Sequence, residues 1–256
     1  LGAITQVIDA YKSPMETFNS NILGTINILE SIRSLNKKIL LIFSSSDKAY
    51  GTLTEKAYSE NHQLKGNFPY DVSKSSSDLI VQSYVKTYNL KAGIIRSGNI
   101  FGPGDLNMDR LVPHAIISSL NKKSAVLRSN GKLIRDYIYV EDVSNAYFLL
   151  MNKMIKSKEK LRIYNVGSRE NLTVINLVKL IGSITNTKKI QPIIKNSSRV
   201  SPNRSFYLPK KFVMNIKNPF VHGSLFLRKD EILNIGGYDE NFYYAQDYKL
   251  MSDLIR

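Results

Sequence analysis

The sequence predicts an α/β fold built on a doubly wound parallel sheet, because helical and strand patterns alternate along the chain. An amphipathic segment at 14–35 precedes a continuous apolar run at 39–43, and a second amphipathic segment at 70–88 precedes an apolar run at 92–96. Continuous apolar runs are typical of parallel strands that are covered on both faces. Helices that alternate with such strands favour an α/β layer architecture.

The first helix has the clearest start signal. Ser13, Pro14 and Glu16 match a capping box with proline at the first helical position. Apolar residues then recur at helical spacing and predict one buried stripe. The stripe consists of Met15, Phe18, Ile22, Ile26, Leu29 and Ile32.

The second helix and the irregular region after it complete the predicted domain. The helix is expected to turn Val72, Leu79, Ile80, Tyr84 and Val85 inward. From about residue 98 the pattern predicts a small α/β lobe laid over the edge of the sheet. Its expected elements are a helix at 112–120, a strand at 136–140, a helix at 142–151, a strand at 163–166 and a helix at 173–184.

Composition divides the chain into three parts. Residues 1–195 carry the α/β pattern and the interleaved lobe, and residues 196–211 are polar and basic, with Pro202 and Pro209 and no periodicity. We interpret 196–211 as a linker or junction. The character of the sequence changes again in 212–256, which we interpret as an appended C-terminal fragment.

The length and composition of the chain exclude several classes of protein. The chain has 256 residues, of which 43% are hydrophobic and 22% charged, and this is ordinary for a globular protein. It has no cysteine, and its three histidines lack metal-ligand spacing, so we expect no structural metal. No apolar run is long enough to span a bilayer and the start lacks a signal-peptide layout, so we expect a cytoplasmic protein without membrane contact.

The net charge of +15 favours an anionic partner, which can be a nucleic acid, a membrane surface or a nucleotide diphosphate. A basic nucleic-acid-binding module is therefore one alternative. The aromatic residues, however, fall at core spacing and form no strip interleaved with basic residues. We expect no nucleic-acid partner.

The residue pair that indicates chemistry is Tyr70 and Lys74. Residues four apart share one face of a helix, so the Lys74 ammonium can lie beside the Tyr70 phenol. A nearby cation favours phenolate and is expected to lower the pKa of Tyr70 from about 10. Such a tyrosine can accept a proton from a substrate hydroxyl while hydride leaves the same carbon.

A series of segments resembles the extended short-chain dehydrogenases/reductases, the NAD-dependent epimerase/dehydratase family, over residues 1 to about 195. Within that family the chain is most similar to the CDP-glucose 4,6-dehydratase group, on Asp47-Lys48 and the stretch 98–105. The matching segments, in order, are Leu1-Gly2-Ala3, 21–27, Ser46-Asp47-Lys48, Tyr70-x-x-x-Lys74, 96–102 and 135–142.

The resemblance implies a role for each matching residue. Ser46 would hydrogen-bond the sugar C4 oxygen, with Tyr70 as base and Lys74 as its electrostatic partner. After oxidation at C4, Asp47 would protonate the departing C6 hydroxyl and Lys48 would remove the C5 proton. The resemblance also implies NAD contacts at Gly2, Ala3, Asn21, Ser44, Tyr70 and Lys74, and substrate-diphosphate contacts at Asn99, Arg110 and Arg135.

The glycine-rich turn that binds the dinucleotide pyrophosphate in such enzymes is not found in this sequence. Gly98, Gly102 and Gly104 have the wrong spacing, and we assign them to a substrate-side loop. The chain starts at what resembles the end of the fourth strand, which implies a partial Rossmann-like sheet lacking its first strands. We therefore expect the chain, as given, to bind NAD poorly and to be inactive.

Residues 212–256 resemble the acceptor-side end of family 2 glycosyltransferases. The similarity lies in 218–224, 226–230, 236–239 and 245–248, and it implies that Asp247 is the candidate base for the acceptor hydroxyl. The Asp-x-Asp metal motif of that family is absent from the sequence, so we expect no transferase activity. A compact tail of the first domain is the other interpretation.

The sequence thus favours a nucleotide-sugar 4,6-dehydratase, a lyase, that serves deoxysugar and surface-polysaccharide synthesis. Its substrate would be a nucleotide-diphosphate hexose, with CDP-glucose favoured. A nucleotide-sugar 4-epimerase, which shares Tyr70 and Lys74, is the nearest alternative, and a glycosyltransferase fragment or a basic binding module are the others. The resemblance further implies a homodimer that pairs through the helices at 14–35 and 70–88.

Overall fold

The computed structural model describes residues 2–35, 38–52, 57–168, 170, 172–186 and 192–194. The predicted linker and C-terminal fragment, including Asp247, lie outside the described residues. The helices are α1 (Val7–Lys12), α2 (Pro14–Phe18), a π-helical turn (Asn19–Leu23), α3 (Gly24–Ser34), a 3-10 turn (Asp47–Tyr50), α4 (Pro69–Tyr88), α5 (Leu111–Leu120), α6 (Val140–Lys156) and α7 (Val174–Ile184). The strands are β1 (Leu40–Ser46), β2 (Lys91–Ser97), β3 (Asn99–Phe101), β4 (Val126–Leu127), β5 (Ile134–Arg135), β6 (Tyr137–Tyr139), β7 (Leu161–Val166), β8 (Leu172–Thr173) and β9 (Ile193–Ile194).

The main sheet is parallel and has the order β1-β2-β7. On one face α3 and α4 pack against it around Leu29, Val81 and Ile94. On the other face α6 packs against it, with Leu150 and Ile95 in contact. Helices therefore cover both faces, and the predicted α/β fold with a partial doubly wound sheet is confirmed.

A second, smaller core lies in the region that follows β2. Helices α5 and α7 pack together there. Three short strand pairs join the same region: β3 with β6 and β4 with β9 in parallel, and β5 with β8 antiparallel. The core consists of Ala115, Ala125, Leu127, Val174, Leu177, Val178 and Ile181. This is the lobe that the sequence pattern predicts after residue 98.

The buried side of the first helical segment differs from the predicted stripe. Met15 is 68% exposed, whereas Thr17 and Asn21 are buried. The physical reason is the π-helical turn, which adds a residue to one turn and rotates the residues before it relative to those after it. Pro14 takes the first turn as predicted, but the side chain of Ser13 makes no capping hydrogen bond, so the capping box is wrong.

Helix α4 turns most of the predicted residues towards the core, including Val85, but its buried side also carries polar residues that were not predicted. Leu79 is 51% exposed, while the fully buried side chains of the helix include Ser73, Ser77 and Asp78. Small hydroxyl groups permit this because they bond to backbone oxygens: Ser77 donates to the carbonyl oxygen of Asn21 at 2.9 Å. The N-terminal half of the helix therefore approaches the first helical segment through polar side chains.

Candidate active site

Tyr70 and Ser46 meet at the carboxyl end of β1. Pro69 and Tyr70 form the first turn of α4, and Ser46 is the last residue of β1. Both side chains are buried, and the Ser46 hydroxyl lies close enough to the Tyr70 phenol to act on its pKa. Ser46 also donates to Oδ1 of Asp47 at 3.1 Å and accepts from the Lys48 amide at 3.2 Å. The two groups assigned to the sugar C4 oxygen are thus brought together.

Lys74 lies one turn further along α4, where it contacts the backbone of β1. Its Nζ donates to the carbonyl oxygen of Ser44 at 3.1 Å and lies 6.0 Å from the centre of the Phe43 ring. Burial lowers the pKa of Lys74 to about 8, and the nearby Asp78 carboxylate opposes this shift. Lys74 is therefore a buried ammonium that can lose its proton near neutral pH.

The electrostatic expectation for Tyr70 is wrong in this state of the protein. Burial raises the pKa of Tyr70 to about 12, although the Ser46 hydrogen bond and the Arg110 charge act in the opposite direction. Loss of water from around the phenol outweighs the nearby cation. The Lys74 ammonium is directed to the Ser44 carbonyl, so the phenol is neutral and protonated.

Asp47 and Lys48 form a partly buried ion pair beside this site. They lie on the 3-10 turn after β1, with Nζ of Lys48 3.8 Å from Oδ2 of Asp47. Their side chains retain 24% exposure for Lys48 and 20% for Asp47. The pair is therefore open enough to meet a ligand and close enough to Ser46 to act on the same molecule.

Asp71 joins this ion pair and was missed by the sequence reasoning. Burial raises the pKa of Asp71, while Lys48 lowers it, Asp47 raises it and Arg135 lowers it. Two carboxyl groups and two cations thus act on one another at the start of α4. The available sequence signal was the position of Asp71 directly after Tyr70.

Asn21, one of the residues assigned to the cofactor, uses its side-chain amide within the protein. It accepts from the Ile4 amide at 2.8 Å and donates to the Ile4 carbonyl at 3.0 Å and to Ser73 Oγ at 2.9 Å. This ties the chain after Gly2 and Ala3 to α4. Asn21 therefore positions the helix that carries Tyr70 rather than presenting a free amide.

Lys74 provides the observation that bears on whether a dinucleotide fits. An ammonium has three N–H donors, and within the described residues Lys74 makes one hydrogen bond, to Ser44. Spare donors on a buried ammonium one helical turn from Tyr70 match the hydroxyl groups of a ribose. The residues present thus fit one end of NAD, whereas the sequence contains no glycine-rich turn for its pyrophosphate.

The residues assigned to the substrate diphosphate lie on the lobe side of the site. Asn99 donates through Nδ2 to the Asp136 carbonyl oxygen at 3.2 Å. Arg110 bonds to Asp105 at 3.0 Å and to the Ile100 carbonyl at 2.9 Å, and its charge acts on Tyr70. The charge of Arg135 acts on Asp71. Arg110 and Arg135 therefore both bring positive charge near the start of α4.

No group of three or more His, Asp or Glu side chains in the described part of the chain is arranged to hold a metal ion. Among the helices that the structure describes, none is both long and apolar enough to cross a membrane.

A family model for the NAD dependent epimerase/dehydratase family matches residues 1–167. The chain belongs to this family. It is an NAD-dependent family, and the matched residues include β1, α4 and β7, so the match covers both Ser46 and Tyr70.

Curated relatives of this epimerase/dehydratase chain include both reaction types. It is 30% identical to a UDP-glucose 4-epimerase of Mycoplasma genitalium, over 94% of this chain and 74% of that protein. It is also 30% identical to a dTDP-D-glucose 4,6-dehydratase of Dictyostelium discoideum, over 72% of this chain and 44% of that protein. The chain thus spans under half the length of this dehydratase.

Solved structures give the same two types. The UDP-glucose 4-epimerase of Thermotoga maritima, determined with UDP-glucose, has a TM-score of 0.69 and 27% identity, over 76% of this chain and 62% of that one. The dTDP-glucose 4,6-dehydratase of Bacillus anthracis, determined with NAD, has a TM-score of 0.63 and 27% identity, over 72% of this chain and 58% of that one. These relatives establish the Rossmann-like fold and the family, and both reactions are represented among them.

The resemblance of 212–256 to glycosyltransferases finds no support in these comparisons. The alignment with the Mycoplasma genitalium epimerase covers so much of the chain that it extends past residue 211. A continuation of the epimerase/dehydratase sequence therefore explains part of this segment. Asp247 has no described surroundings against which its assigned role can be judged.

Proposed function

We propose that this chain carries the active site of a nucleotide-sugar 4,6-dehydratase that oxidises its sugar transiently at C4. The observation that carries the proposal is the contact of Tyr70 with Ser46 next to the Asp47–Lys48 ion pair. The first contact supplies the groups for alcohol oxidation, and the second supplies an acid and a base for loss of water. A site for oxidation alone has no use for the second pair.

The first step takes place at the end of β1. Ser46 holds the C4 oxygen, and Tyr70, once ionised, takes the C4 hydroxyl proton. Because burial holds the pKa of free Tyr70 at about 12, ionisation requires the Lys74 charge to turn from Ser44 towards the phenol. NAD held beside these residues would supply the hydride acceptor for oxidation at C4 and the hydride source for C6.

The second step uses the ion pair. A C4 ketone makes the C5 proton acidic. If the ion pair passes its proton from Lys48 to Asp47, the Lys48 amine can remove the C5 proton while Asp47 gives its proton to the C6 hydroxyl, which leaves as water. Asp71 lies beside both groups and contributes a second carboxyl to the cluster. Return of the proton from the Lys48 ammonium to C5, together with hydride at C6, gives a 4-keto-6-deoxy sugar that is still linked to its nucleotide.

The substrate we propose is a nucleotide-diphosphate hexose, with CDP-glucose favoured by the stretch 98–105 and by Asp47-Lys48. Arg110 and Arg135 would bind the diphosphate because a guanidinium forks onto phosphate oxygens. Asn99 would join them. The relatives named above have UDP- or dTDP-linked glucose in their names, so the choice of base needs a direct comparison of CDP-, UDP- and dTDP-glucose.

The test needs a polypeptide in which a glycine-rich dinucleotide-binding segment precedes these residues, because the chain alone is expected to be inactive. CDP-glucose is incubated with it, and the product is identified by mass spectrometry. Loss of one water, with a 4-keto product that absorbs in alkali, supports the dehydratase. An epimer of unchanged mass refutes it.

A 4-epimerase is the second candidate, and the specific observation in its favour is the 94% coverage of this chain by a UDP-glucose 4-epimerase. That reaction also uses Tyr70, Lys74 and Ser46. It does not need Asp47 and Lys48, so substitution of this pair separates the two functions.

Weak NAD binding by the chain itself stays a prediction, and thermal shift measures it: strong, saturable stabilisation by NAD would contradict it. The expected homodimer, the cytoplasmic location and the role in surface-polysaccharide synthesis also stay predictions. For the dimer, sedimentation velocity of the purified chain gives a direct answer.

A further inference from the structure

A buried ion pair lies behind the active site and joins α4 to β2. Arg96 donates from Nε and from one terminal nitrogen to the two carboxylate oxygens of Asp78, both at 2.9 Å. The side chains are 2% and 0% exposed. Asp78 also accepts from Ser45 at 2.5 Å and from Gln82 at 2.7 Å. Every oxygen of this carboxylate is thus engaged.

The other terminal nitrogen of Arg96 extends the network to the loop before α4. It donates to the Tyr50 hydroxyl at 2.8 Å and to the Glu60 carbonyl oxygen at 3.2 Å. The Tyr50 hydroxyl in turn donates to Asn165 of β7 at 2.7 Å. One guanidinium therefore connects all three strands of the sheet, the turn that carries Asp47 and Lys48, and the helix that carries Tyr70.

The pair lies one helical turn from Lys74, on the same face of α4. In the register of the sheet, Arg96 is opposite Ser45. Lys74 bonds to the carbonyl of Ser44, and Asp78 bonds to the hydroxyl of Ser45, so two successive turns of α4 contact two successive residues of β1. One turn before Lys74, the same helix brings Tyr70 to Ser46.

We propose that Asp78 and Arg96 are a positioning pair, which seats α4 on the end of β1 and thereby sets where the Tyr70 phenol and the Lys74 ammonium lie relative to Ser46. Only the catalytic role of the positioned groups rests on the proposed function; the positioning itself does not. Desolvation of two charges offsets their attraction, so a buried ion pair is a poor source of stability, and geometric specificity is its better explanation here. Neither residue touches the substrate.

Strand β1 presents the Ser44 carbonyl and the Phe43 ring to Lys74. Strand β2 acts through Arg96, which is bound to Asp78. Asp78 itself is the anion that favours the charged form of Lys74.

The test follows Lys74 and Tyr70 by NMR in the whole chain, with carbon-13 at lysine Cε and tyrosine Cζ. Lys74→Arg and Tyr70→Phe assign the two resonances, and circular dichroism establishes that each variant is folded. No cofactor, sugar or turnover is needed. The NMR result can therefore be interpreted even if the chain proves not to be a dehydratase. Likewise, a negative NMR result does not refute the dehydratase reaction.

Asp78→Glu separates charge from position. The charge remains, so the Lys74 titration midpoint is expected to stay within about half a pH unit of wild type. The added methylene shifts α4 relative to β1, so the chemical shift of the Tyr70 Cζ resonance is expected to change. Asp142→Asn, an exposed carboxylate in the first turn of α6, is the matched control and should change neither signal.

Asp78→Asn leaves the Arg96 guanidinium buried without its partner and can unfold the chain. The double variant Asp78→Asn/Arg96→Gln removes both charges and is measured for this reason. We expect its Lys74 midpoint to fall by about one pH unit, because the buried anion is lost, and its Tyr70 resonance to move. An unchanged Tyr70 resonance in both Asp78→Glu and the folded double variant would overturn the proposal.

Discussion

Lys74 donates a hydrogen bond of 3.1 Å to the carbonyl oxygen of Ser44, although it lies one turn from Tyr70 on the same helix. The ammonium is therefore engaged by the backbone of β1. The pKa values of the two residues follow from this arrangement, with Lys74 lowered to about 8 and Tyr70 raised to about 12, in both cases chiefly by burial.

Tyr70→Phe tests the base. The variant keeps the ring but has no group to accept the C4 hydroxyl proton, so we expect turnover to fall about 100- to 10,000-fold. The nucleotide sugar should bind with nearly unchanged affinity, measured by calorimetry. Tyr88→Phe, half-exposed at the far end of the same helix, is the control and should retain activity.

Asp47→Asn and Lys48→Met test the choice between dehydratase and epimerase. In a dehydratase each variant should still oxidise C4, visible as absorbance of reduced cofactor, but should release no 4-keto-6-deoxy product. The reason is that the groups that move the C5 proton and the C6 hydroxyl are gone. Normal epimer formation by both variants would favour the epimerase.

The buried ammonium of Lys74 predicts a stability that changes with pH. Its folded pKa of about 8 lies below the ordinary value of 10.5, so between these values the unfolded chain binds more protons than the folded chain. Stability should therefore rise as pH increases from 8 to 10, by about 2 kcal/mol from this residue. Above pH 10 the raised pKa of Tyr70 acts in the opposite direction, so stability should stop rising and then fall.

Urea unfolding of wild type and Lys74→Met at several pH values measures this contribution. The rise between pH 8 and pH 10 should be lost in Lys74→Met and kept in Lys86→Met, which removes an exposed lysine from the same helix. An equal rise in all three proteins would show that Lys74 is not its source.

Leu29→Ala tests the packing of α3 against the sheet. Leu29 is 1% exposed within the core that contains Val81 and Ile94, so its truncation should cost about 3 kcal/mol of unfolding free energy. Met15→Ala should cost within about 0.5 kcal/mol, since Met15 is exposed. Equal losses would mean that the predicted stripe is buried after all.

The sequence predicts the alternation of helices and strands well, because a fully covered strand such as β1 needs a continuous apolar run. It predicts the faces of the helices less well. The buried side of α4 consists largely of hydroxyl and carboxylate groups, and Leu79 lies outside, so hydrophobic spacing gives no signal there. The π-helical turn before α3 shifts the face of the first helix and leaves no mark on spacing.

For the site, motif spacing selects Ser46, Tyr70 and Lys74, which the structure places at the end of β1 and the start of α4. It does not reveal where the ammonium points, since that depends on the Ser44 carbonyl across the cleft. The Asp78–Arg96 pair joins two elements that are distant in sequence, and Asp71 gains its charged neighbours from two other segments, 47–48 and Arg135. Local patterns cannot predict such contacts.

Transfer of deuterium within the sugar tests the central claim most directly. CDP-glucose labelled with deuterium at C4 is given to the polypeptide that includes a dinucleotide-binding segment, and the product is examined by NMR. The account predicts a 4-keto-6-deoxy product with deuterium at C6, and no such product with Tyr70→Phe. A 4-epimer that retains its deuterium at C4 would contradict it.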